Sequence, residues 1–214
     1  MKRITCIFLI SFSVLTVVPQ LEAQEWNTGL DIYSSYVWRG TKFGSGPAFQ
    51  PSIEFSAGNL AIGAWGSYSA STDEAAEADL YVSYNVEIGE KGSIGFTFTD
   101  YYFPGTSWTE KNSHYPEPMI TIGAGFLSLT GAYMLNNSER NLYFEAGISA
   151  GPANFFIGGG DGIYTTDGKF NLCNLGISSS KEIKITDTFS LPVTGAAIMN
   201  PSSRQFHVVA GITL

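Results

Sequence analysis

The chain has 214 residues, of which 14% are charged and 14% aromatic, with 24 glycines and a formal net charge of −8. Sparse charge with abundant aromatics and glycine excludes a disordered chain and favours short strands and tight turns over helices. An acidic balance without a Lys/Arg cluster excludes nucleic acid as a partner.

The first 23 residues read as a secretory signal peptide. Lys2 and Arg3 precede an apolar run from Ile4 to Val18, Pro19 breaks it, and Leu21-Glu22-Ala23 puts a small residue at the cleavage position. The run is short for a spanning helix, and no later stretch reaches about 18 consecutive apolar residues. The mature chain is therefore expected to be residues 24–214, a single domain. Without Lys2, Arg3 and Glu22 it keeps nine basic and eighteen acidic residues, a net charge of −9. Of the two cysteines it keeps Cys173, so the expected fold has no internal disulfide.

From Gly29 onward, apolar residues recur at every second position, the period of a strand. Between Asp79 and Ile88, the side chains of Leu80, Val82, Tyr84, Val86 and Ile88 fall on one face. Asp79, Tyr81, Ser83, Asn85 and Glu87 fall on the other. Phe49–Ala57, Ile94–Thr99 and Leu142–Ser149 repeat the pattern. Breaking the chain at its turn signals predicts strands over 28–40, 48–58, 60–70, 78–89, 93–103, 117–126, 128–136, 142–150, 155–165, 172–185, 189–199 and 204–214. Alternation is weakest over 155–165 and 172–185, which leaves ten strands as the other count.

The predicted connections alternate in length. Gly58-Asn59, Glu90–Gly92, Phe126-Leu127, Gly151–Ala153 and Thr186–Thr188 are minimal; Thr41–Pro47, Ser71–Glu77, Pro104–Pro116, Asn136–Asn141 and Thr166–Asn171 are longer and polar. Short turns at one end and long loops at the other, on strands of about 9–11 residues, describe an outer-membrane barrel. Aromatics crowd the strand ends as two girdles: Tyr36, Trp38, Tyr68, Tyr101, Tyr102, Phe103, Tyr133 and Tyr164 toward the loops, and Trp26, Phe55, Phe126, Phe155 and Phe189 toward the turns. A soluble β-sandwich also alternates, but even strand spacing, alternating loop lengths and the girdles favour the membrane. The expected fold is all-β, a transmembrane antiparallel up-and-down β-barrel in the outer membrane of a Gram-negative cell, with membrane lipids around it.

The final segment, with Phe206, Val208, Ala210, Ile212 and Leu214 on one face, resembles the closing strand of barrels handed to the outer-membrane assembly machinery, although it ends in Leu214 and not in an aromatic. Near the start, Tyr36-Val37-Trp38-Arg39-Gly40, Pro47-Ala48-Phe49-Gln50 and Gly58-Asn59-Leu60-Ala61-Ile62-Gly63-Ala64-Trp65 resemble the corresponding motifs of Gcw_chp, a family of porin-like outer-membrane proteins. These motifs cover about 40 residues. The resemblance implies an outer-membrane barrel with a channel role and brings no catalytic residues.

With the apolar faces turned to lipid, the candidate lumen-lining residues are Asp31, Arg39, Glu54, Asp79, Glu87, Glu117, Glu145 and His207. Six carboxylates against one guanidinium describe an acid-lined pore that favours cations or polar neutral solutes. Ordinary barrel filling, with internal pairs such as Arg39 with Glu54, accounts for any one of them equally well. Twelve strands leave a narrow lumen and not a wide one. The expected function is a porin-like channel for small solutes; the alternative is a closed barrel with a structural, adhesive or partner-binding role through its outer loops.

No enzyme is expected. His114 falls in the longest loop and His207 on the last strand, and neither lies in a nucleophile motif. No cofactor or metal is expected either: His and Cys pairs are missing, and Asp73, Glu74 and Glu77 read as a solvated acidic loop, not a calcium loop. Gly158–Gly162 lacks the Lys and Ser/Thr of a phosphate loop and reads as strand glycines that permit curvature.

Overall fold

Alternation along each segment is matched by pairing across it. A computed structural model describes residues 24–71, 76–105, 107–135 and 141–214. β1 (Gln24–Tyr33) is followed by a short pair, β2 (Tyr36–Trp38) and β3 (Thr41–Phe43). Then come β4 (Ala48–Ala57), β5 (Leu60–Ser69), β6 (Glu77–Ile88), β7 (Gly92–Tyr102), β8 (His114–Ala124), β9 (Leu127–Met134), β10 (Asn141–Ala150), β11 (Ala153–Gly162), β12 (Gly168–Lys184), β13 (Ser190–Asn200) and β14 (Gln205–Thr213). All except β2 and β3 form one closed antiparallel barrel of twelve strands. The count of ten is excluded.

Closure occurs where β1 meets β14. Asp31 pairs with Thr213 and Tyr33 with Gly211, and Leu30 and Leu214 exchange backbone hydrogen bonds of 3.1 and 3.0 Å. No sheet edge is left for lipid to face, as a spanning sheet requires. The minimal turns lie at one end, the longer loops at the other, and both barrel-closing termini sit at the turn end. Among the described residues, no helix is long and apolar enough to cross a membrane.

The observed strands follow the predicted segments with one substantive correction. The expected strand over 28–40 is two elements. Ser34 still bonds to β14, its N–H donating to Ala210 O at 2.7 Å and its hydroxyl accepting from Ala210 N at 3.0 Å. The chain then leaves the wall, and Tyr36-Val37-Trp38 pairs with Thr41-Lys42-Phe43 as a separate hairpin. The alternation there belongs to a real strand, but to one outside the barrel's hydrogen-bonded ladder. β8 also begins earlier than predicted, at His114, and β12 at Gly168.

The two faces of the wall meet different solvents. Ile62, Leu80, Phe96, Leu129, Phe144 and Val208 are all exposed, and such residues recur around the whole outer surface. Soluble proteins rarely expose contiguous apolar area beyond a few hundred Å²; a lipid-facing belt has no such limit. The buried cluster lies inside the ring instead: Ala132, Tyr143, Tyr164 and Cys173, with Trp38 and Met119 packed against it. The turn-end girdle holds, with Trp26, Phe126, Phe155 and Phe189 exposed. The loop-end girdle is thinner than expected. Tyr68 and Tyr133 are exposed, but Tyr101 and Tyr164 are buried and Trp38 turns inward with them.

Val82 and Phe96 lie on the lipid face, while Ser83 faces inward beside Ala61 and Thr97. Arg at Val82 or Phe96 should cost about 2–4 kcal/mol of insertion free energy if near mid-membrane, and Ser83→Arg much less. The folded fraction read from heat-modifiable gel mobility in lipid vesicles checks this; equal losses at Val82 and Ser83 contradict the facing.

Candidate functional site

The hairpin is built by a two-residue turn. Arg39 and Gly40 both have positive φ, 49° and 79°, the arrangement whose twist matches paired strands. Gly40 is the easy half. A Cβ there would lie 1.9 Å from Cys173 O on β12, and the Gly40 carbonyl accepts from Asn200 Nδ2 at 3.3 Å. Arg39 is the costly half, since a non-glycine residue in the left-handed region carries about 1–2 kcal/mol of strain. Its side chain supplies the compensation.

Arg39 crosses the lumen to β8. Nη1 donates to Glu117 Oε2 at 2.6 Å and Nη2 to Glu117 Oε1 at 2.7 Å, a two-pronged pair whose side chains are only 9% and 1% exposed. Nη1 also donates to Tyr164 OH at 2.7 Å. Tyr101 and Tyr164 each donate to Glu117 at 3.1 Å, so its oxygens are fully engaged. Three rings enclose the guanidinium, with Cζ 4.5 Å from the Trp38 centroid, 4.4 Å from Tyr143 and 5.3 Å from Tyr164. Burial works against the charge of Arg39, but the hydrogen bonds to Glu117 and its negative charge outweigh it and hold the pKa above the ordinary value. Burial also pushes the Tyr164 hydroxyl upward, keeping it a donor.

The glycines of β11 make this cluster fit. A Cβ on Gly158 would lie 2.3 Å from Tyr143 OH, and one on Gly160 would lie 2.7 Å from both Leu142 O and Tyr164 Cδ2. Gly158–Gly162 therefore gives room to the two tyrosines that grip Arg39, besides carrying the register shifts of β11 against β12.

The hairpin has two flanks. On the Val37 side a cavity of about 210 Å³ lies against Tyr33, Gln50, Ala196, Ile198 and Val209. On the Trp38 side a cavity of about 300 Å³ lies against Phe43, Glu77, Tyr101, Phe103, Tyr115 and Tyr164, among others.

The expected pairing of Arg39 with Glu54 is corrected: Arg39 holds Glu117, and Glu54 accepts from Tyr81 OH at 2.8 Å. Glu145 accepts from Tyr143 OH and from Asn174 Nδ2, the latter at 2.8 Å, which places it one layer from the guanidinium. Asp31 accepts from Thr213 at 2.5 Å beside the closure. Asp79 is buried at 7% exposure, and its Oδ1 has no partner among the described residues; the same holds for Nε2 of half-buried His207. Glu87 is exposed near the turn end. Glu77, expected in a solvated loop with Asp73 and Glu74, is instead a buried residue of β6, its backbone paired with Ser67. Asp73 and Glu74 lie outside the described residues.

Residues 22–174 match the family described as "Bacterial protein of unknown function (Gcw_chp)". The chain belongs to the Gcw_chp family. The match reaches well beyond the three motifs near the start and ends inside β12. This Gcw_chp barrel is similar in fold to the solved KdgM porin, at TM-score 0.53 and 11% identity, over 86% of this chain and 97% of that one. It is similar also to the KdgM porin in complex with disordered oligogalacturonate, at TM-score 0.55 and 12% identity over the same shares. At such identities the likeness is one of fold. No curated protein matches the chain in sequence.

Trp38, Tyr101, Tyr143 and Tyr164 were missing from the sequence-derived site, three of them because they fit the girdle. The signal that could have found them is Arg39 itself, a charge inside an aromatic run directly before a glycine.

Replacing Arg39 in the Gcw_chp barrel by Met leaves Glu117 buried without a counter-charge, a loss of about 3–5 kcal/mol. With Trp26, Trp65 and Trp108 changed to Phe, acrylamide quenching of Trp38 should rise in Arg39→Met and in Glu117→Gln. The double change should unseat the hairpin less than either single one. Unchanged quenching in both singles would mean that the pair does not hold the hairpin.

Proposed function

We propose that the protein is a narrow, non-enzymatic outer-membrane channel that prefers cations and small polar solutes. The observation that carries this reading is the arrangement inside the ring: a hairpin pinned to β8 by Arg39 and Glu117, and an excess of carboxylates on the inward face of the wall. Barrels of about eight strands are filled by their own side chains, and those of about sixteen leave an aqueous channel. A ring of twelve with a folded-in hairpin leaves two cavities beside the hairpin, room for a narrow path and not for a wide pore.

Charge sets the preference. Arg39 and Glu117 cancel, so the inward set retains Asp31, Glu54, Glu87 and Glu145. The lysines of β12 that could offset them, Lys169, Lys181 and Lys184, sit exposed at its ends. Carboxylates along a narrow low-dielectric tube raise the local concentration of cations. The KdgM porin, solved in complex with disordered oligogalacturonate, supports the channel reading through its fold; an acid-lined lumen argues against an acidic saccharide here.

Export through removal of residues 1–23, insertion by the barrel-assembly machinery, and a turn end facing the periplasm belong to the same reading. A role outside catalysis fits the histidines too: both ring nitrogens of His114 are engaged, with Asp100 at 2.8 Å and the Trp108 carbonyl at 2.7 Å. The second reading, a closed barrel acting through its loops, draws on the same hairpin as a plug.

Conductance separates the two. In a planar bilayer with a salt gradient, the wild type should conduct with a cation-favouring reversal potential. Glu54→Gln with Glu145→Gln should reduce that preference more than Glu87→Gln, whose site is exposed near the turn end and screened by bulk salt. Absence of any conductance favours the closed barrel, and an anion-favouring potential defeats the charge argument.

A further inference from the structure

The cavity on the Trp38 flank has a lining unlike the rest of the interior. Six aromatic rings (Trp38, Phe43, Tyr101, Phe103, Tyr115 and Tyr164) wall it, with Met134 and Ile163 beside them. Its carboxylate is Glu77, 6% exposed, whose Oε1 meets the Tyr36 hydroxyl at 3.5 Å, the outer limit of a hydrogen bond. Two residues along the same inward face lies Asp79, 7% exposed with Oδ1 unpartnered among the described residues. The guanidinium in this region, Arg39, has its fork committed to Glu117. Among the described residues, Glu77 in the cavity wall and Asp79 next to it thus stand beside one guanidinium, which Glu117 already holds, an acid surplus at an aromatic cavity.

We propose that this cavity is a binding site for small quaternary ammonium ions. Sodium, magnesium or calcium would need several oxygen ligands, whereas the lining is chiefly aromatic and apolar, with one carboxylate, the Thr41 hydroxyl and tyrosine hydroxyls of which two are committed to Glu117. A quaternary ammonium ion sheds its water readily, presents methyl groups to ring faces and gains cation–π attraction while its charge meets the buried acid. Anions are excluded by sign. A neutral ligand of equal shape fills the same space but brings Glu77 no counter-charge, so it lacks the electrostatic part of the binding. The volume of about 300 Å³ is at the small end of ligand pockets and suits a compact ion.

The inference rests on the channel reading only in placing the bound ion beside the conduction path; binding itself is independent of it. The test is isothermal titration calorimetry of the full barrel in a maltoside detergent, since a phosphocholine detergent would compete. The titrants are choline and its neutral isostere 3,3-dimethylbutan-1-ol. Choline should bind saturably at one site, and the isostere roughly tenfold more weakly or less. Glu77→Gln should weaken choline by about the same factor and leave the isostere unchanged. Glu87→Gln, at the far end, should change neither, and heat-modifiable mobility verifies that each variant is folded. No saturable choline binding, equal binding of the isostere, or wild-type affinity in Glu77→Gln overturns the site. A wild type that conducts without binding choline defeats this inference and leaves the channel; one that binds choline without conducting keeps the site and defeats the channel.

Discussion

The buried pair of Arg39 and Glu117 is the interaction on which the interior depends. Twelve strands enclose more space than inward side chains fill, and the hairpin occupies part of it. A hairpin outside the ladder has few backbone bonds to the wall, so its position has to come from its tip. The tip supplies a planar fork, and the barrel answers it with the Glu117 carboxylate, two tyrosine hydroxyls on that carboxylate, and the rings of Tyr143 and Tyr164, which enclose the guanidinium together with Trp38 of the hairpin. Such a pair repays its desolvation only when every lone pair and proton is engaged, and here the oxygens of Glu117 are. The seat extends outward from it: Gly158 and Gly160 leave space for Tyr143 and Tyr164, and Gly40 touches the β12 backbone where no side chain fits.

The division of the wall into two faces limits where such a pair can exist. Every second residue faces lipid, where a charge costs about 2–4 kcal/mol near the midplane. Charged and polar groups therefore concentrate on the inward face, and few cations are among them. Most inward carboxylates are left to neutral donors: Tyr81 for Glu54, Asn174 and Tyr143 for Glu145, Thr213 for Asp31. These donors orient the carboxylates without cancelling their charge. Among the described residues, only Glu117 receives a guanidinium, and only because the hairpin brings one from outside the wall.

The barrel was legible in the sequence because its signal is local. Leu80, Val82 and Tyr84 face lipid for the same reason that they alternate, and pairing of β6 with β5 and β7 follows from short connections. The hairpin was not legible because it obeys the same period. Tyr36 and Trp38 alternate as barrel residues do and carry the residue types of a girdle. The available cue was the pair Ser34-Ser35 followed by Arg39-Gly40, a break and a tight turn within one segment. Glu117 as partner of Arg39 lies 78 residues away, and one charge alone does not distinguish it from Glu54. Register and closure decide that choice, and neither is a local property. Burial of Glu77 escaped notice similarly, because a position at a loop–strand junction reads as solvated until the hairpin covers it.

The same seat determines how a solute would pass. Lifting the hairpin out of the lumen would leave Glu117 almost fully buried without its counter-charge, a penalty of about 3–5 kcal/mol. It would also strip Trp38 from Tyr101 and Tyr164, rings now 5.5 and 5.7 Å away between centroids. A displaced state bearing only that cost is populated at well under about one part in a hundred, since each 1.4 kcal/mol is tenfold. Passage in such a channel therefore runs beside the seated hairpin, along flanks of unlike chemistry. The Val37 flank presents Ala196, Ile198 and Val209 with little charge, and the Trp38 flank presents rings and a buried acid. Two cavities with different walls beside one hairpin set a weakly charged flank apart from an acidic, aromatic one, a division that an unobstructed tube of twelve strands lacks.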